Sequence, residues 1–481
     1  MTRRIHLGWF GLVLVLVSGR SLMAQGGAPL APDQTVQVAA HPLTLQEAID
    51  YSLAHYPAVR AALEQVNSAR SGVALARTSY LPQLNSLYQA NRATQNQVTG
   101  IFLPAGIAPS IEGPVQPYSA ISFWNTQGGA LLSWEPFDFG LRGATVDRAR
   151  SAEHKSNADV ELTRLQVASA TGGYFLNSVL AQQAVAAAQA NVRRWEVFDQ
   201  SVRVLVDQGL RPGADASRAD AELAAARTQL FEAQALERQA EALFASLLGA
   251  APEGIQVEPT PLLTFPLADA LPTTSASAHP LARDQRASVD ELRAQQHVLG
   301  RTDYPRLFLA SEVFARGSGA NPDGTAAGGL KGLGFARGNW VAGISVVFPN
   351  LFDFSALRDQ KRMAVAQERS QEAKYQQTLQ DLSGQIAVAQ AGLKAALQIA
   401  KNTPIQLAAA RQAETQARAR YQSGLTTLVE VAEAEGLLAQ AERDDAVARL
   451  NVWRSLFEVA VAQGNLAPFL AMLQSSAGGK P

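Results

Sequence analysis

The sequence contains no cysteine, which excludes disulfides, thiolate metal sites, cysteine nucleophiles and an acylated N-terminal cysteine. Methionine is scarce too: there are four residues, and two of them, Met1 and Met23, lie close to the N-terminus. The six histidines are scattered, with no pair at the spacing of metal ligands. The composition therefore predicts no metal site and no cofactor.

An excess of one charge is also absent. The 41 basic and 42 acidic side chains nearly balance, so nothing indicates nucleic acid as a partner. The chain has no P-loop, no GxSxG and no GxGxxG motif, and its carboxylates stand among basic neighbours as on solvated helix faces. We therefore predict that the protein is not an enzyme and has no catalytic residue.

Long apolar runs are missing after the N-terminus. Residues 1–24 begin with Arg3 and Arg4, continue with an apolar run over 7–17 and end in small residues, which is typical of a secretory signal peptide. We expect cleavage after Ala24; a buried N-terminal helix is the alternative. Because no later stretch reaches roughly 18 apolar residues, the mature chain is expected to be either soluble or a β-type membrane protein.

What the chain does contain is an internal repeat. A shift of 223 residues superposes Pro57 and Pro82 on Pro280 and Pro305, and a shift of 215 superposes the Phe-Asp-Phe triplets at 137–139 and 352–354. The shift of 215 also matches three positions further along the chain: Gly209 with Gly424, Leu210 with Leu425, and Asp215 with Glu430. Shared offsets over this length indicate a tandem duplication, with repeats at 25–264 and 265–481.

Each repeat is predicted to start with a helix and to continue with two strands, at 82–137 and 305–352. The clearest strand is "WVAGISVVF" at 340–348, where apolar residues alternate with Gly343 and Ser345. Strands of roughly ten residues are long enough to cross a bilayer, and three tryptophans suit interfacial anchors: Trp124, Trp134 and Trp340. A small soluble β-hairpin is the alternative.

Long helical hairpins are predicted at 140–250 and 354–466, each turning at a Gly-Leu pair. Apolar residues spaced three and four apart on both arms indicate coiled-coil packing. Pro57 predicts a break in the first helix, Thr44 is its expected N-cap, and Pro404 predicts a kink or local break in the second hairpin. The tail at 474–481 is predicted to be disordered.

In their order and spacing these features resemble the TolC-like outer-membrane efflux protein family, the outer-membrane factors of tripartite efflux or secretion systems. The resemblance covers nearly all of the mature chain. It implies a mixed α and β membrane protein in which three chains form a 12-stranded transmembrane β-barrel, with four strands from each chain. A long periplasmic α-helical barrel continues this β-barrel, and the loops at 98–117 and 316–338 face outward.

The resemblance also implies the location and the partners of the protein. It places the homotrimer in the outer membrane of a Gram-negative bacterium, in contact with outer-membrane lipid and extending into the periplasm. The hairpin tips, Gly209, Leu210, Gly424 and Leu425, would contact a periplasmic adaptor (membrane fusion) protein. That adaptor connects them to an inner-membrane pump of RND, ABC or MFS type.

Four residues take roles from the same resemblance. Tyr421 and Asp215 match the tyrosine and the carboxylate of a bond network that closes the entrance, and Glu430 and Glu433 match acidic positions that form rings across it. Some members of the family carry an arginine two residues after the turn glycine, which forms a second bond network; here that position is Thr426. The alternatives are packing within the turn for Tyr421 and a solvated helix face for the two glutamates.

The function implied is a passive exit duct that conducts substrates from an inner-membrane pump and adaptor across the periplasm and the outer membrane, with a gate at the helix tips. A periplasmic structural coiled-coil protein without channel activity is the alternative. The sequence does not indicate whether the cargo is drugs, solvents, metal ions or a polypeptide.

Overall fold

The computed structural model describes residues 42–94, 121–250, 255–266, 270–319, 321, 325, 327–349 and 354–478. The predicted signal peptide at 1–24, the loop at 98–117 and parts of the loop at 316–338 lie outside these residues. The helices of the first half are α1 (Leu45–His55), α2 (Pro57–Thr78), α3 (Leu141–Asp207) and α4 (Gly213–Leu248). Those of the second half are α5 (Pro280–Leu299), α6 (Phe354–Gln422), α7 (Leu428–Ala462) and α8 (Ala467–Gly478).

The strands are β1 (Gln83–Thr94), β2 (Ser122–Phe137), β3 (Arg306–Ser318) and β4 (Arg337–Val347). In both halves a helical segment is followed by two strands, a very long helix and a returning helix. Among the described residues between the halves, Thr260–Leu263 and Ala276–Ala278 form short 3₁₀ helices. We call α3 with α4 the first hairpin and α6 with α7 the second hairpin.

The first helical segment begins and breaks where the sequence predicts. The Thr44 side chain accepts a hydrogen bond from the Glu47 backbone, and the Glu47 carboxylate accepts one from the Thr44 backbone, which completes a capping box. Tyr56 is extended, because the residue before a proline avoids the helical region, and α2 then starts at Pro57.

The strands form one antiparallel sheet in the order β1-β2-β3-β4, so the two predicted strand pairs lie side by side. The register gives the sheet one apolar face, with Leu84, Leu132, Leu309, Ile344 and the tryptophans Trp124, Trp134 and Trp340. The opposite face is more polar: it carries Asn85, Gln127, Glu312 and Ser345, together with apolar residues such as Leu131 and Phe314. A sheet whose two faces differ in polarity separates two environments, and β1 and β4 are its edges.

The first Phe-Asp-Phe triplet forms the junction between β2 and α3. Asp138 is buried, and its carboxylate accepts hydrogen bonds from the Arg142 backbone at 2.6 Å, the Arg142 side chain at 2.9 Å and the Gly140 backbone at 3.1 Å. Phe139 has φ 52°, and Gly140, at φ 93°, takes the left-handed conformation without a side-chain penalty. Burial raises the pKa of Asp138, but the hydrogen bonds from Arg142 and Gly140 outweigh it and leave the pKa below its usual value.

Each hairpin packs along its length, and α3 also contacts α5 and α7. At ~1.5 Å per residue, α3 and α6 are each about 100 Å long. Within the described ranges, no helix combines the length and the apolar character that a membrane crossing requires. A large core around Phe175, Phe244 and Trp453 holds the middle of the molecule, and a separate apolar cluster lies near the tips.

Two local predictions are wrong, one of them in part. The helix α6 continues through Pro404, so the predicted break does not occur, while the alternative of a kink stays a prediction. The residues before Pro404 pack on α7: Ala400 and Thr403 are buried, and the Thr403 hydroxyl donates a hydrogen bond to Asp445 at 3.1 Å. The predicted disorder from residue 474 is wrong as far as Gly478, which ends α8. Phe469 of this helix is buried against Trp453 and Phe457, so packing orders a segment whose composition suggested a free tail.

Candidate functional site

The two hairpin tips have the same backbone geometry. Gly209 and Gly424 have φ values of 69° and 74°, in the left-handed region that favours glycine. In each turn the leucine after the glycine donates a hydrogen bond from its backbone N–H to the carbonyl five residues earlier. Leu210 bonds Leu205 at 2.9 Å, and Leu425 bonds Arg420 at 2.8 Å. This pattern ends a helix with its last carbonyls satisfied, so both chain reversals are firmly set by local bonds.

Tyr421 and Asp215, which the resemblance pairs, are in contact. The Tyr421 hydroxyl donates a hydrogen bond to Asp215 Oδ2 at 2.9 Å, and this bond joins α6 to α4. Only 1% of Tyr421 is exposed, and its ring packs on Phe198 of α3. Burial and the Asp215 carboxylate raise the pKa of Tyr421 to about 12, so the hydroxyl remains protonated as a donor at physiological pH.

Arg211 completes this contact and was missed in the sequence. Its guanidinium donates hydrogen bonds to the backbone carbonyl of Tyr421 and, at 3.4 Å, to that of Thr426, and it lies 4.1 Å from the centroid of the Tyr421 ring. The offset of 215 residues could have found it, because Arg211 is the position in the first repeat that corresponds to Thr426. An arginine two residues after the turn glycine is therefore present in the first hairpin, after Gly209, and not in the second hairpin, after Gly424.

Glu430 and Glu433 lie in the first turns of α7 but differ in their surroundings. Glu430 accepts hydrogen bonds from Arg420, at 2.9 Å, and from the Thr426 hydroxyl, and 45% of its side chain is exposed. Glu433 is exposed and has neither a hydrogen bond nor an ion pair with the residues that the structure describes. The positive charge of Arg420 therefore offsets Glu430 and leaves Glu433 as the uncompensated carboxylate.

A third glutamate of the same helix, Glu435, lies in the interior. It is 1% exposed and forms ion pairs with Arg418 and Arg194. Burial raises the pKa of Glu435 in spite of these two arginines. Glu435 lies two residues after Glu433 and therefore on another face of α7, but this spacing alone does not reveal that the face meets α3 and α6.

The site as a whole is a set of contacts between the two hairpins. In the part of the chain that the structure describes, no group of three or more histidine or acidic side chains could hold a metal ion. The exposed leucines at the ends, Leu210 and Leu425, are 65% and 70% exposed. The arrangement can hold the two hairpins together at the tips and release them through a few polar contacts.

Comparison with known proteins gives concordant results. A sequence model of the family described as outer membrane efflux protein matches residues 48–250 and 271–465. The chain is 28% identical over 364 residues to Protein CyaE of Bordetella pertussis (strain Tohama I), which covers 74% of this chain and 70% of that protein.

Solved structures are similar in fold. The outer membrane protein VceC from Vibrio cholerae has a TM-score of 0.68 at 18% identity, covering 88% of this chain and 96% of that one. The crystal structure of CusC, described in terms of transmembrane channel formation, has a TM-score of 0.71 at 16% identity, covering 91% of this chain and 98% of that one.

Proposed function

Since the chain belongs to the outer membrane efflux protein family and is an outer-membrane channel that extends into the periplasm, we propose that it is the exit duct of a tripartite efflux or secretion system. It conducts substrates passively from an inner-membrane pump and a periplasmic adaptor. The observation that carries the proposal is a sheet with one apolar and one more polar face, joined to helices about 100 Å long.

The conduit is a homotrimer whose three sheets close a 12-stranded barrel. The edge strands β1 and β4 have backbone N–H and C=O groups with no partner strand within the sheet, and a second copy can pair with them. In lipid an antiparallel sheet satisfies such edges by closing into a barrel. The apolar face with its tryptophans contacts outer-membrane lipid, and the polar face lines the lumen. The two repeats, 25–264 and 265–481, arose by duplication and contribute two strands and one hairpin each.

The tips meet the periplasmic adaptor. The turns at Gly209-Leu210 and Gly424-Leu425 present one exposed leucine each at the end of a rigid hairpin. Exposed apolar side chains in a fixed geometry suit burial in a partner. An adaptor bound there connects the duct to a pump of RND, ABC or MFS type.

The contacts at the tips form a gate. The Tyr421–Asp215 bond has a charged acceptor, so it contributes about 1.5–3 kcal/mol to closure, enough to hold the second hairpin and weak enough to release it. Glu430 and Glu433 from three chains converge on the entrance and concentrate negative potential, which favours cations. The alternative function, a periplasmic structural coiled coil, explains neither the family membership nor a sheet whose faces differ in polarity.

Single-channel recording in planar bilayers tests the function. The detergent-purified protein is expected to give a small cation-selective conductance, and the double substitution Glu430→Gln/Glu433→Gln is expected to weaken that selectivity. A conductance with unchanged selectivity would keep the duct and assign the two glutamates to a solvated face. A protein that stays soluble without detergent and never inserts would refute the proposed function.

A further inference from the structure

A second set of polar contacts between the hairpins is centred on Arg194 of α3. Its guanidinium forms ion pairs with two carboxylates of α7, Glu435 Oε2 at 3.3 Å and Glu442 Oε2 at 2.9 Å. Its side chain is 22% exposed, and Glu435 is almost completely buried. Arg194 therefore connects the first hairpin to the second at a point where little water competes for the charges.

The contacts on the two sides of Glu435 differ. On the side of α6, Arg418 donates a hydrogen bond to Glu435 Oε1 and also pairs with Glu414 at 2.7 Å. On the side of α3, Arg194 is near Oε2, but Oε2 has no aligned hydrogen bond from the described residues. Glu435 is thus held firmly within its own hairpin and more loosely by the neighbouring one, so the second hairpin can separate from α3 as a unit.

These contacts form a layer directly next to the Tyr421 contact. Arg418 precedes Tyr421 by three residues on α6, a rise of about 4.5 Å. Phe198 of α3 connects the layers, because its ring packs on Tyr421 at 5.7 Å between centroids and lies 5.5 Å from the Arg418 guanidinium. Because the two sets of contacts are about one helical turn apart, a displacement of the second hairpin at its tip also displaces the partners of Arg194.

The charges of this layer are balanced. Three carboxylates, those of Glu414, Glu435 and Glu442, face three guanidinium groups, those of Arg194, Arg418 and, at 4.0 Å, Arg411. Buried ion pairs add little net stability to a fold, but removing one partner leaves an uncompensated buried charge. Buried ion pairs can therefore favour one relative position of two helices over others. The layer therefore suits a role in selecting the closed position of the second hairpin.

We propose that Arg194 is a second latch of the entrance, which clamps the second hairpin onto α3 through Glu435 and Glu442 and must be released before the entrance opens. This inference rests on the proposed channel function. Tyr421 and Asp215 act between α6 and α4, whereas Arg194 acts between α3 and α7, so full opening requires both contacts to break.

Single-channel recording of matched arginine variants tests the second latch. Arg194→Gln removes the clamp and is expected to raise the open-state conductance or open probability about tenfold, with a larger increase when it is combined with Tyr421→Phe. The control is Arg227→Gln, because Arg227 forms an exposed ion pair with Glu196 at 3.0 Å within the first hairpin, which opening leaves intact. Its conductance is expected to remain that of the wild type.

A second variant, Glu442→Gln, tests the inference if Arg194→Gln does not fold. Glu442→Gln removes one of the two carboxylates that hold Arg194 and leaves Glu435 paired, so a smaller increase in opening is expected even if Arg194→Gln fails to assemble. The inference is overturned if Tyr421→Phe opens the channel while Arg194→Gln and Glu442→Gln behave like Arg227→Gln. If neither the wild type nor any variant forms channels, the proposed function itself fails.

Discussion

The Arg211 side chain shows how one residue couples the two hairpins. Its guanidinium lies over the ring of Tyr421 and donates hydrogen bonds to the backbone of the same residue. A guanidinium is planar, carries five donors and stacks on aromatic faces, so it can make both contacts at once, and a lysine could not. Arg211 thus orients the ring whose hydroxyl bonds Asp215.

The Tyr421–Asp215 bond leads to a prediction about opening and pH. Tyr421→Phe removes a hydrogen bond to a charged acceptor and is expected to increase opening by about tenfold or more. The pKa of Tyr421 is raised from 10.0 to about 12, so the contribution of this bond is complete below pH 10 and is lost as the pH rises through 12. Bilayer recordings of the wild type and Tyr421→Phe between about pH 6 and 9 are therefore expected to show a constant difference; a difference that vanishes within this range would contradict the assignment.

The pairing of Arg420 with Glu430 leads to a prediction about selectivity. Arg420→Gln leaves the negative charge of Glu430 uncompensated at the entrance, so the preference for cations is expected to increase, as measured by the reversal potential in a salt gradient. The control is Arg454→Gln, which breaks an exposed pair with Glu458 far along the same hairpin and is expected to have no effect. An unchanged cation preference in Arg420→Gln would place Glu430 outside the ion path.

At the residue scale the sequence predicted some contacts and missed others. The resemblance named Tyr421 and Asp215, and the structure brings them within hydrogen-bond distance. Arg211 could not be predicted from its own turn, because its contacts are with Tyr421 and Thr426 of the other hairpin. Glu435 was missed because spacing along a helix does not reveal which face meets a neighbouring helix.

At the element scale, helices and strands meet at junctions that depend on buried charge. Asp138 and Arg142 are each only 8% exposed as side chains, and Arg142 also bonds the Ser79 carbonyl at the end of α2, at 3.2 Å. The junction therefore fixes α3 to the end of α2 and to the start of the sheet. The repeated Phe-Asp-Phe triplet indicated this position in the sequence, although Phe352 and Asp353 lie outside the described residues.

Asp138→Asn is expected to destabilise this junction. It leaves Arg142 buried without a countercharge, a change that typically costs about 3–5 kcal/mol, and thermal unfolding followed by circular dichroism in detergent measures it. Because the pKa of Asp138 is lowered, its contribution is present above the ordinary carboxyl pKa and is lost on acidification. The matched control is Asp147→Asn, in an exposed pair with Arg150 on the same helix, where a change of ~0.5 kcal/mol or less is expected. Equal effects of the two substitutions would contradict the account.

The long helices were predictable because proline is rare in them and apolar residues recur at spacings of three and four. Pro404 was the exception: the break that a proline favours does not occur there, because packing on α7 keeps α6 continuous. The helix α8 was unpredictable for a similar reason: its order depends on the contacts of Phe469 with Trp453 and Phe457, which are distant in sequence. Local patterns decide where elements begin and turn, and contacts between elements decide how far they extend.

At the scale of the whole molecule, one chain leaves apolar surfaces and sheet edges uncovered. The sheet has two open edges, and apolar side chains such as Phe231 and Leu236 of α4 and Val388 of α6 are exposed along the hairpins. Four strands close only part of a barrel, so the proposed conduit depends on three chains meeting through β1 and β4.

The measurement that tests this claim most directly is native mass spectrometry of the mature protein extracted from the outer membrane in detergent. We expect a single species with the mass of three chains. A protein that is released from the detergent micelle as a monomer or a dimer would contradict the closed barrel and, with it, the duct.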